Sequence, residues 1–132
     1  MNSPLKILLV DDEVHVRKYI GMLLKSIIAN PELFEAGNSY EAQKLFQEHA
    51  PDLVFLDINM PGRDGLETLG DLRGLNQDVG IIMLTSVSAR GSVQKALENG
   101  ADGYILKDTP AAEIKEQVAA LIAELQTPDG SE

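Results

Sequence analysis

Short apolar runs and helical repeats alternate along the whole chain, and this alternation constrains the fold more than any other feature. Five runs of four to six mostly apolar residues lie at 5–10, 33–36, 53–56, 81–84 and 103–106. Between the runs, apolar residues recur every three or four positions, as Val16, Ile20 and Leu23 do, which is one face of a helix. Near-continuous apolar strands that alternate with helices indicate an α/β fold with a parallel sheet of five strands, covered on both faces by five helices.

Several of the helices carry start signals. Ser39 is the predicted N-cap of the second helix, because its hydroxyl can accept a hydrogen bond from the first turn. Asp64 and Glu67 predict a capping box at the start of the third helix. Pro110 is the predicted first residue of the last helix, a position where the missing N–H has no partner in any case.

The length of 132 residues fits one domain, because domains usually contain roughly 100–200 residues. Hydrophobic residues make up 44% of the chain, which excludes disorder as the main state. We expect a single domain over residues 1–132, with its core at about 5–126. The polar residues 127–132 predict a flexible tail.

The charge and the cysteine count exclude several function classes. With 11 basic and 21 acidic residues, the formal net charge is −10, so we expect direct binding neither to nucleic acid nor to an anionic membrane. The chain has no cysteine, which rules out a disulfide scaffold, a thiolate metal site and a cysteine nucleophile. No apolar run approaches the roughly 18 residues of a membrane span, and the first four residues are too few for a signal peptide. A cytoplasmic protein is the expected result.

Chemically useful side chains follow four of the five predicted strands. They are Asp11, Asp12 and Glu13 after the first run, Asp57 after the third, Thr85 and Ser86 after the fourth, and Lys107 after the fifth. Ligands of open α/β sheets bind beyond the carboxyl ends of the strands, so we expect these side chains to meet at one edge. A single Asp after a strand is often only a helix cap, but the combination points to a site.

The charges of these side chains indicate a site that binds a cation and a phosphoryl group. Two carboxylates about 5 Å apart repel by roughly 3 kcal/mol at an effective dielectric of 20, so a cluster of them favours a bound cation. Oxygen ligands without Cys or His suit Mg²⁺. A dication together with Lys107 is also what a transferring phosphoryl group needs. Asp57, which leaves the central strand, is the best candidate for a nucleophile that becomes an aspartyl phosphate.

At these residues the sequence resembles the receiver domain of bacterial two-component response regulators. The matching stretches are Leu8-Leu9-Val10-Asp11-Asp12-Glu13, residues 51–65 around Leu56-Asp57-Ile58-Asn59-Met60-Pro61-Gly62, Leu84-Thr85-Ser86, and residues 100–107 ending in Tyr104-Ile105-Leu106-Lys107. The resemblance covers about residues 5–126. It implies a doubly wound, flavodoxin-like (βα)5 fold with strand order 2-1-3-4-5, and a phosphorylation-controlled signalling switch.

The resemblance also implies a role for each site residue. Asp57 would accept a phosphoryl group from a sensor histidine kinase or a histidine phosphotransfer protein. Asp12 and Asp57 would hold Mg²⁺ with their side chains, Asn59 would hold it with its backbone carbonyl, and Asp11 would support it through water. Lys107 would pair with Asp57 and then with the phosphoryl group.

A second set of implied roles concerns the signal. The hydroxyl of Thr85 would move to a phosphoryl oxygen, and the backbone N–H of Ser86 would point to the same group. Tyr104 would turn inward as Thr85 moves. This would reshape the surface of the fourth helix, fifth strand and fifth helix, which then controls a downstream partner or output domain. Such a module catalyses its own phosphotransfer and dephosphorylation, and we do not expect it to be an enzyme on an outside substrate.

Two alternatives use related features. Phosphatases of the haloacid-dehalogenase type also use an Asp nucleophile and Mg²⁺, but they place a second Asp two residues later, where this chain has Asn59. A docking module that is never phosphorylated normally has a broken acidic site, whereas this one is intact.

Lys107 is followed by Asp108, where many relatives have proline, and this form resembles the branch whose members often carry a DNA-binding helix-turn-helix domain. A stand-alone regulator and one domain of a longer regulator are both compatible with the sequence.

Overall fold

The computed structural model describes residues 4–126, and within that range five parallel strands alternate with five helices. The elements are β1 (Lys6–Val10), α1 (Val14–Ile27), β2 (Glu32–Ala36), α2 (Ser39–His49), β3 (Leu53–Leu56), α3 (Gly65–Leu75), β4 (Gly80–Thr85), α4 (Arg90–Glu98), β5 (Gly103–Leu106) and α5 (Ala111–Gln126). The strands form one sheet in the order β2-β1-β3-β4-β5. The predicted doubly wound, flavodoxin-like fold is therefore confirmed.

The sheet is buried on both faces, which explains why its strands read as continuous apolar runs. Successive residues of a strand point to opposite faces, so Leu8 packs into one core while Ile7 and Leu9 pack into the other. The first core includes residues of α2, α3 and α4, and the second includes residues of α1 and α5. With both faces covered, ligands have access only at the ends of the strands.

The starts of α2 and α3 depend on side-chain caps. Asp64 accepts a hydrogen bond from the Glu67 N–H at 2.9 Å, and the Glu67 carboxylate accepts one from the Asp64 N–H at 3.0 Å, so the predicted capping box is confirmed. The predicted cap of α2 is wrong by one residue. Asn38 is extended and accepts from the Glu41 N–H, while Ser39 is the first helical residue and its side chain is buried.

The last helix begins one residue later than predicted. Its first residue is Ala111, and the carbonyl of Pro110 accepts hydrogen bonds from the N–H groups of Glu113 and Ile114. Pro110 thus precedes the helix instead of starting it. The predicted flexible tail at 127–132 lies outside the described residues. Across residues 4–126, no helix combines the length and the apolar character that crossing a membrane requires.

Candidate functional site

The sheet brings four of the predicted site residues to one edge. Asp11 directly follows β1, Asp57 directly follows β3, Thr85 ends β4, and Lys107 directly follows β5. The main-chain pairing continues just past the strand ends: the Asp57 N–H donates to the carbonyl of Val10 at 3.0 Å, and the Lys107 N–H donates to that of Thr85 at 2.9 Å. The sheet therefore fixes the backbone position from which each of these side chains extends.

The ammonium of Lys107 lies between the buried carboxylates. Its Nζ is 2.7 Å from Oδ2 of Asp11, 3.0 Å from Oδ2 of Asp57 and 3.6 Å from Oε1 of Glu13. Burial lowers the pKa of Lys107, but its hydrogen bonds to Asp11 and Asp57 and their charges outweigh this, so the pKa lies above its ordinary value of 10.5. Lys107 is therefore a stable positive charge at neutral pH.

Three carboxylates converge beside this lysine. Asp11, Asp12 and Asp57 each offer an oxygen, and these oxygens lie within 4.8 Å of one another. Asp11 and Asp57 are only 5% and 3% exposed, while Asp12 is exposed. Burial raises the pKa of Asp11 above its usual 3.8, and the charge of Asp57 adds to this, although hydrogen bonds from Lys107 and the Glu13 N–H oppose it. One lysine does not neutralise the cluster.

Asp57 has a free acceptor atom inside this cluster. Its Oδ2 is held by Lys107, but its buried Oδ1 has no hydrogen-bond partner among residues 4–126. A buried carboxylate oxygen without a partner is unfavourable and usually marks a place where an ion, a water molecule or a ligand binds. Three carboxylates with an unpaired oxygen fit a hard divalent cation. Asn59, the remaining predicted ligand, is exposed in the loop two residues beyond Asp57.

Two of the three predicted switch residues, Thr85 and Tyr104, hold the loop between β4 and α4. The buried hydroxyl of Thr85 accepts a hydrogen bond from the Val87 N–H at 3.3 Å, and the hydroxyl of Tyr104 donates to the Val87 carbonyl at 2.6 Å. Tyr104 is half-buried and packs against the core beneath α2, α3 and α4. Burial raises the pKa of Tyr104, and the charge of Asp57 raises it further. Ser86 lies exposed between Thr85 and Val87.

Gly65 is a site residue to which the sequence assigned no role. Its N–H donates to the carbonyl of Ile58 at 2.8 Å, which presses the start of α3 against the chain leaving β3. A Cβ atom at Gly65 would overlap the main-chain carbonyl oxygen of Asp57 and lie 2.6 Å from the Cα of Ile58. A side chain at this position would therefore displace the backbone of Asp57. The only signal in the sequence is a glycine directly after the capping Asp64, which also has local explanations.

A family model described as the response regulator receiver domain matches residues 7–119. Among curated proteins, chemotaxis protein CheY of Halobacterium salinarum is 38% identical over 102 residues, which cover 77% of this chain and 83% of that protein. The nitrate/nitrite response regulator protein NarL of Escherichia coli is 38% identical over 106 residues, which cover 80% of this chain and 49% of NarL. The chain thus spans most of the chemotaxis protein but about half of the nitrate/nitrite regulator.

Solved structures of response regulators also resemble this chain. A two-component response regulator of the LuxR family from Aurantimonas superposes with a TM-score of 0.85 at 31% identity, covering 92% of this chain and 87% of that one. The CheX–CheY–BeF3–Mg complex from Borrelia burgdorferi contains a chain that superposes with a TM-score of 0.83 at 27% identity, covering 90% of both chains. The similarity therefore extends over nearly the whole described fold.

Proposed function

The chain belongs to the response regulator receiver domain family, whose members are phosphorylation-controlled signalling switches, and we propose that Asp57 is the residue that becomes phosphorylated. The observation that carries the proposal is the environment of its carboxylate. One oxygen is held by Lys107, and the other is buried among acidic groups without a hydrogen-bond partner in the described structure. An oxygen with free lone pairs at the end of a rigid strand is suited to attack phosphorus.

The proposed reaction is a transfer between two side chains. The Asp57 carboxylate attacks the phosphorus of a donor phosphohistidine, an O–P bond forms, and the P–N bond breaks with its electron pair returning to the imidazole. Lys107, already 3.0 Å from Asp57 and protonated, offers its charge to the phosphoryl oxygens. Thr85 and the backbone N–H of Ser86 supply the neighbouring hydrogen-bond donors. Hydrolysis of the acyl phosphate then restores the carboxylate.

We assign the acidic cluster to Mg²⁺. Asp12 and Asp57 would hold the ion with their side chains, Asn59 with its backbone carbonyl, and Asp11 through water. The support is the all-oxygen donor set and the excess of negative charge over the single Lys107. When bound, the ion neutralises the charge on the phosphoryl oxygens. We expect weak binding, because few protein ligands contribute and water fills the remaining positions.

The proposed donor is a sensor histidine kinase or a histidine phosphotransfer protein. A donor of this kind depends on ATP, so we also propose that the chain acts in the cytoplasm. The net charge of −10 supports a protein partner over nucleic acid or an anionic membrane. We expect no turnover of an outside substrate, because the phosphoryl group stays on the chain until water removes it.

The proposed output surface comprises α4, β5 and α5. Ala96 is the only buried residue of α4, and Leu97 on the same helix is 51% exposed. The loop before α4 is held at Val87 by Thr85 and Tyr104. A lightly packed helix attached to a loop that senses the site is well placed to change position when the site changes.

Incubation with acetyl phosphate and Mg²⁺, followed by intact mass measurement, tests the proposed function. We expect one added phosphoryl group on the wild-type protein and none on Asp57→Asn. Asp52→Asn is the matched control, because Asp52 is an exposed carboxylate directly before β3, and it should be labelled like the wild type. Equal labelling of Asp57→Asn would remove Asp57 from this role.

A further inference from the structure

Arg17 on α1 connects this helix to two other parts of the fold. Its Nε donates to the carboxylate of Glu35 on β2 at 2.8 Å, and its Nη1 donates to the main-chain carbonyl of Asp11 at 2.6 Å. The Arg17 side chain is only 14% exposed. Lys18 pairs with the same Glu35 at 2.8 Å, but its side chain is 68% exposed. The contact of Arg17 is therefore built into the protein, whereas that of Lys18 lies at its surface.

The main chain of Asp11 is fixed at both of its polar groups. Its N–H donates to the carbonyl of Ala36 at 3.0 Å, and its carbonyl accepts from Arg17. That carbonyl belongs to the peptide group between Asp11 and Asp12. Because a peptide group is planar, holding its oxygen fixes the direction in which the chain enters Asp12.

Asp12 depends on this main-chain restraint more than its neighbours do. The carboxylates of Asp11 and Asp57 are held by Lys107, whereas within residues 4–126 the exposed carboxylate of Asp12 makes no ion pair. Its position in the acidic cluster is therefore set by the backbone. We infer that Arg17 is a positioning residue, which holds the Asp11–Asp12 peptide so that the Asp12 carboxylate stays beside Asp57.

A guanidinium suits this task and an ammonium does not. Its planar fork presents N–H donors in two directions, so one side chain can bind Glu35 and the carbonyl of Asp11 together. Arg17 shares Glu35 with Lys18 and contacts Asp11 at its main-chain carbonyl, not at its carboxylate, so we attribute its effect on the cluster to geometry. Arg17→Lys keeps the charge but can reach only one of the two acceptors at a time.

This inference rests on the proposed cation site, and a Mg²⁺ titration followed by amide chemical shifts tests it. We expect Arg17→Lys to weaken Mg²⁺ binding about tenfold, the lower end of the range for residues that orient metal ligands. Lys18→Ala is the matched control, because it removes a partner of Glu35 without touching Asp11, and it should bind Mg²⁺ like the wild type. Acetyl phosphate labelling of Arg17→Lys should be slow at low Mg²⁺ and recover at saturating Mg²⁺, which a general loss of structure would not produce.

Wild-type affinity in Arg17→Lys would overturn the inference, and so would an equal loss in Lys18→Ala, because pairing with Glu35 would then be the cause. If Arg17→Lys fails to fold, Arg17→Gln, which keeps a side-chain N–H donor, takes its place with the same expectation. A wild-type protein that binds no Mg²⁺ would overturn the cation site together with this inference. A wild type that binds Mg²⁺ while Arg17→Lys binds equally well would overturn the role of Arg17 alone.

Discussion

The hydroxyl of Tyr104 donates a 2.6 Å hydrogen bond to the main-chain carbonyl of Val87, and the N–H of Val87 donates to the hydroxyl of Thr85 at 3.3 Å. Two side chains from neighbouring strands therefore hold one residue of the loop before α4. The longer bond is the weaker of the two, and a rotation of Thr85 toward Asp57 would break it. Tyr104 would then make the remaining side-chain hydrogen bond to Val87, which also packs against the core.

Removing the Tyr104 hydroxyl should loosen this loop. Tyr104→Phe keeps the ring in the core but takes away the donor to Val87. With one hydrogen bond worth about 1 kcal/mol, we expect amide exchange of residues 86–90 to accelerate about fivefold. Tyr40→Phe is the matched control, because Tyr40 is 78% exposed, and it should leave exchange in this loop unchanged. Unchanged exchange in Tyr104→Phe would show that this bond does not restrain the loop.

Gly65 should be irreplaceable at the start of α3. In Gly65→Ala the new Cβ would overlap the carbonyl oxygen of Asp57, so the backbone must shift, at a cost of about 1–3 kcal/mol in the free energy of unfolding. Gly70→Ala is the control in the same helix, because nothing lies within 4 Å of its Cβ position, and it should stabilise the protein by about 0.5–1 kcal/mol. Urea denaturation measures both values. Equal stability of Gly65→Ala and the wild type would contradict the close contact.

Most of the fold and the membership of the cluster were predictable from the sequence. A parallel sheet buries both of its faces and directs the ends of its strands to one edge, so apolar runs reveal the strands and the residues after them reveal the site. Asp11, Asp57 and Lys107 came together for this reason. These predictions required no knowledge of side-chain orientation.

What the sequence could not supply depends on side-chain direction. Asn38 and Ser39 are both good caps, and only the inward turn of Ser39 toward Thr68 decides between them. In the sequence, Arg17 is indistinguishable from any other charged residue on an amphipathic helix. Only the structure shows its contacts with Glu35 and the Asp11 carbonyl. Contacts between elements distant in sequence have no local pattern, so they had to come from the structure.

Removal of the Asp12 carboxylate should abolish metal binding but raise the stability of the metal-free protein. Asp12→Ala removes one carboxylate from a cluster whose oxygens lie within 4.8 Å of one another. We expect Mg²⁺ binding and acetyl phosphate labelling to disappear, since the proposed cation site would lose a ligand. In EDTA, the relief of repulsion should raise the unfolding temperature by a few degrees, corresponding to about 1 kcal/mol. Mg²⁺ affinity equal to that of the wild type would remove Asp12 from the cation site.

The raised pKa of Asp11 predicts a pH dependence in the absence of metal. Between the ordinary value of 3.8 and the raised value, the folded protein binds more protons at Asp11 than the unfolded chain does. The contribution of Asp11 to stability is therefore lost as the pH rises through this window. In EDTA, the unfolding free energy of the wild type minus that of Asp11→Asn should fall with rising pH there. A difference that rises with pH would mean that the ion pair with Lys107 outweighs burial.

The effect of phosphorylation should extend from Asp57 to α4. The proposed phosphorylation of Asp57 would add about two negative charges and three acceptor oxygens there. We expect beryllofluoride with Mg²⁺, a phosphoryl mimic, to shift amide resonances at Thr85, Val87 and Tyr104 and along α4, but to leave Asp57→Asn unaffected. The mimic can shift the equilibrium between the two loop positions only by the difference in its interaction free energy with them. We therefore expect a partial shift of the population.

Thr85→Val tests the route of this signal, because it keeps the volume of the side chain but has no hydroxyl. The mimic should still bind near Lys107, whose contact with Asp57 does not involve Thr85. Shifts next to Asp57 should therefore persist, while those along α4 should be lost, since no hydroxyl can leave Val87 for the phosphoryl group. Shifts confined to α1 and α2 in the wild type, with residues 88–108 silent, would exclude α4, β5 and α5 as the output surface.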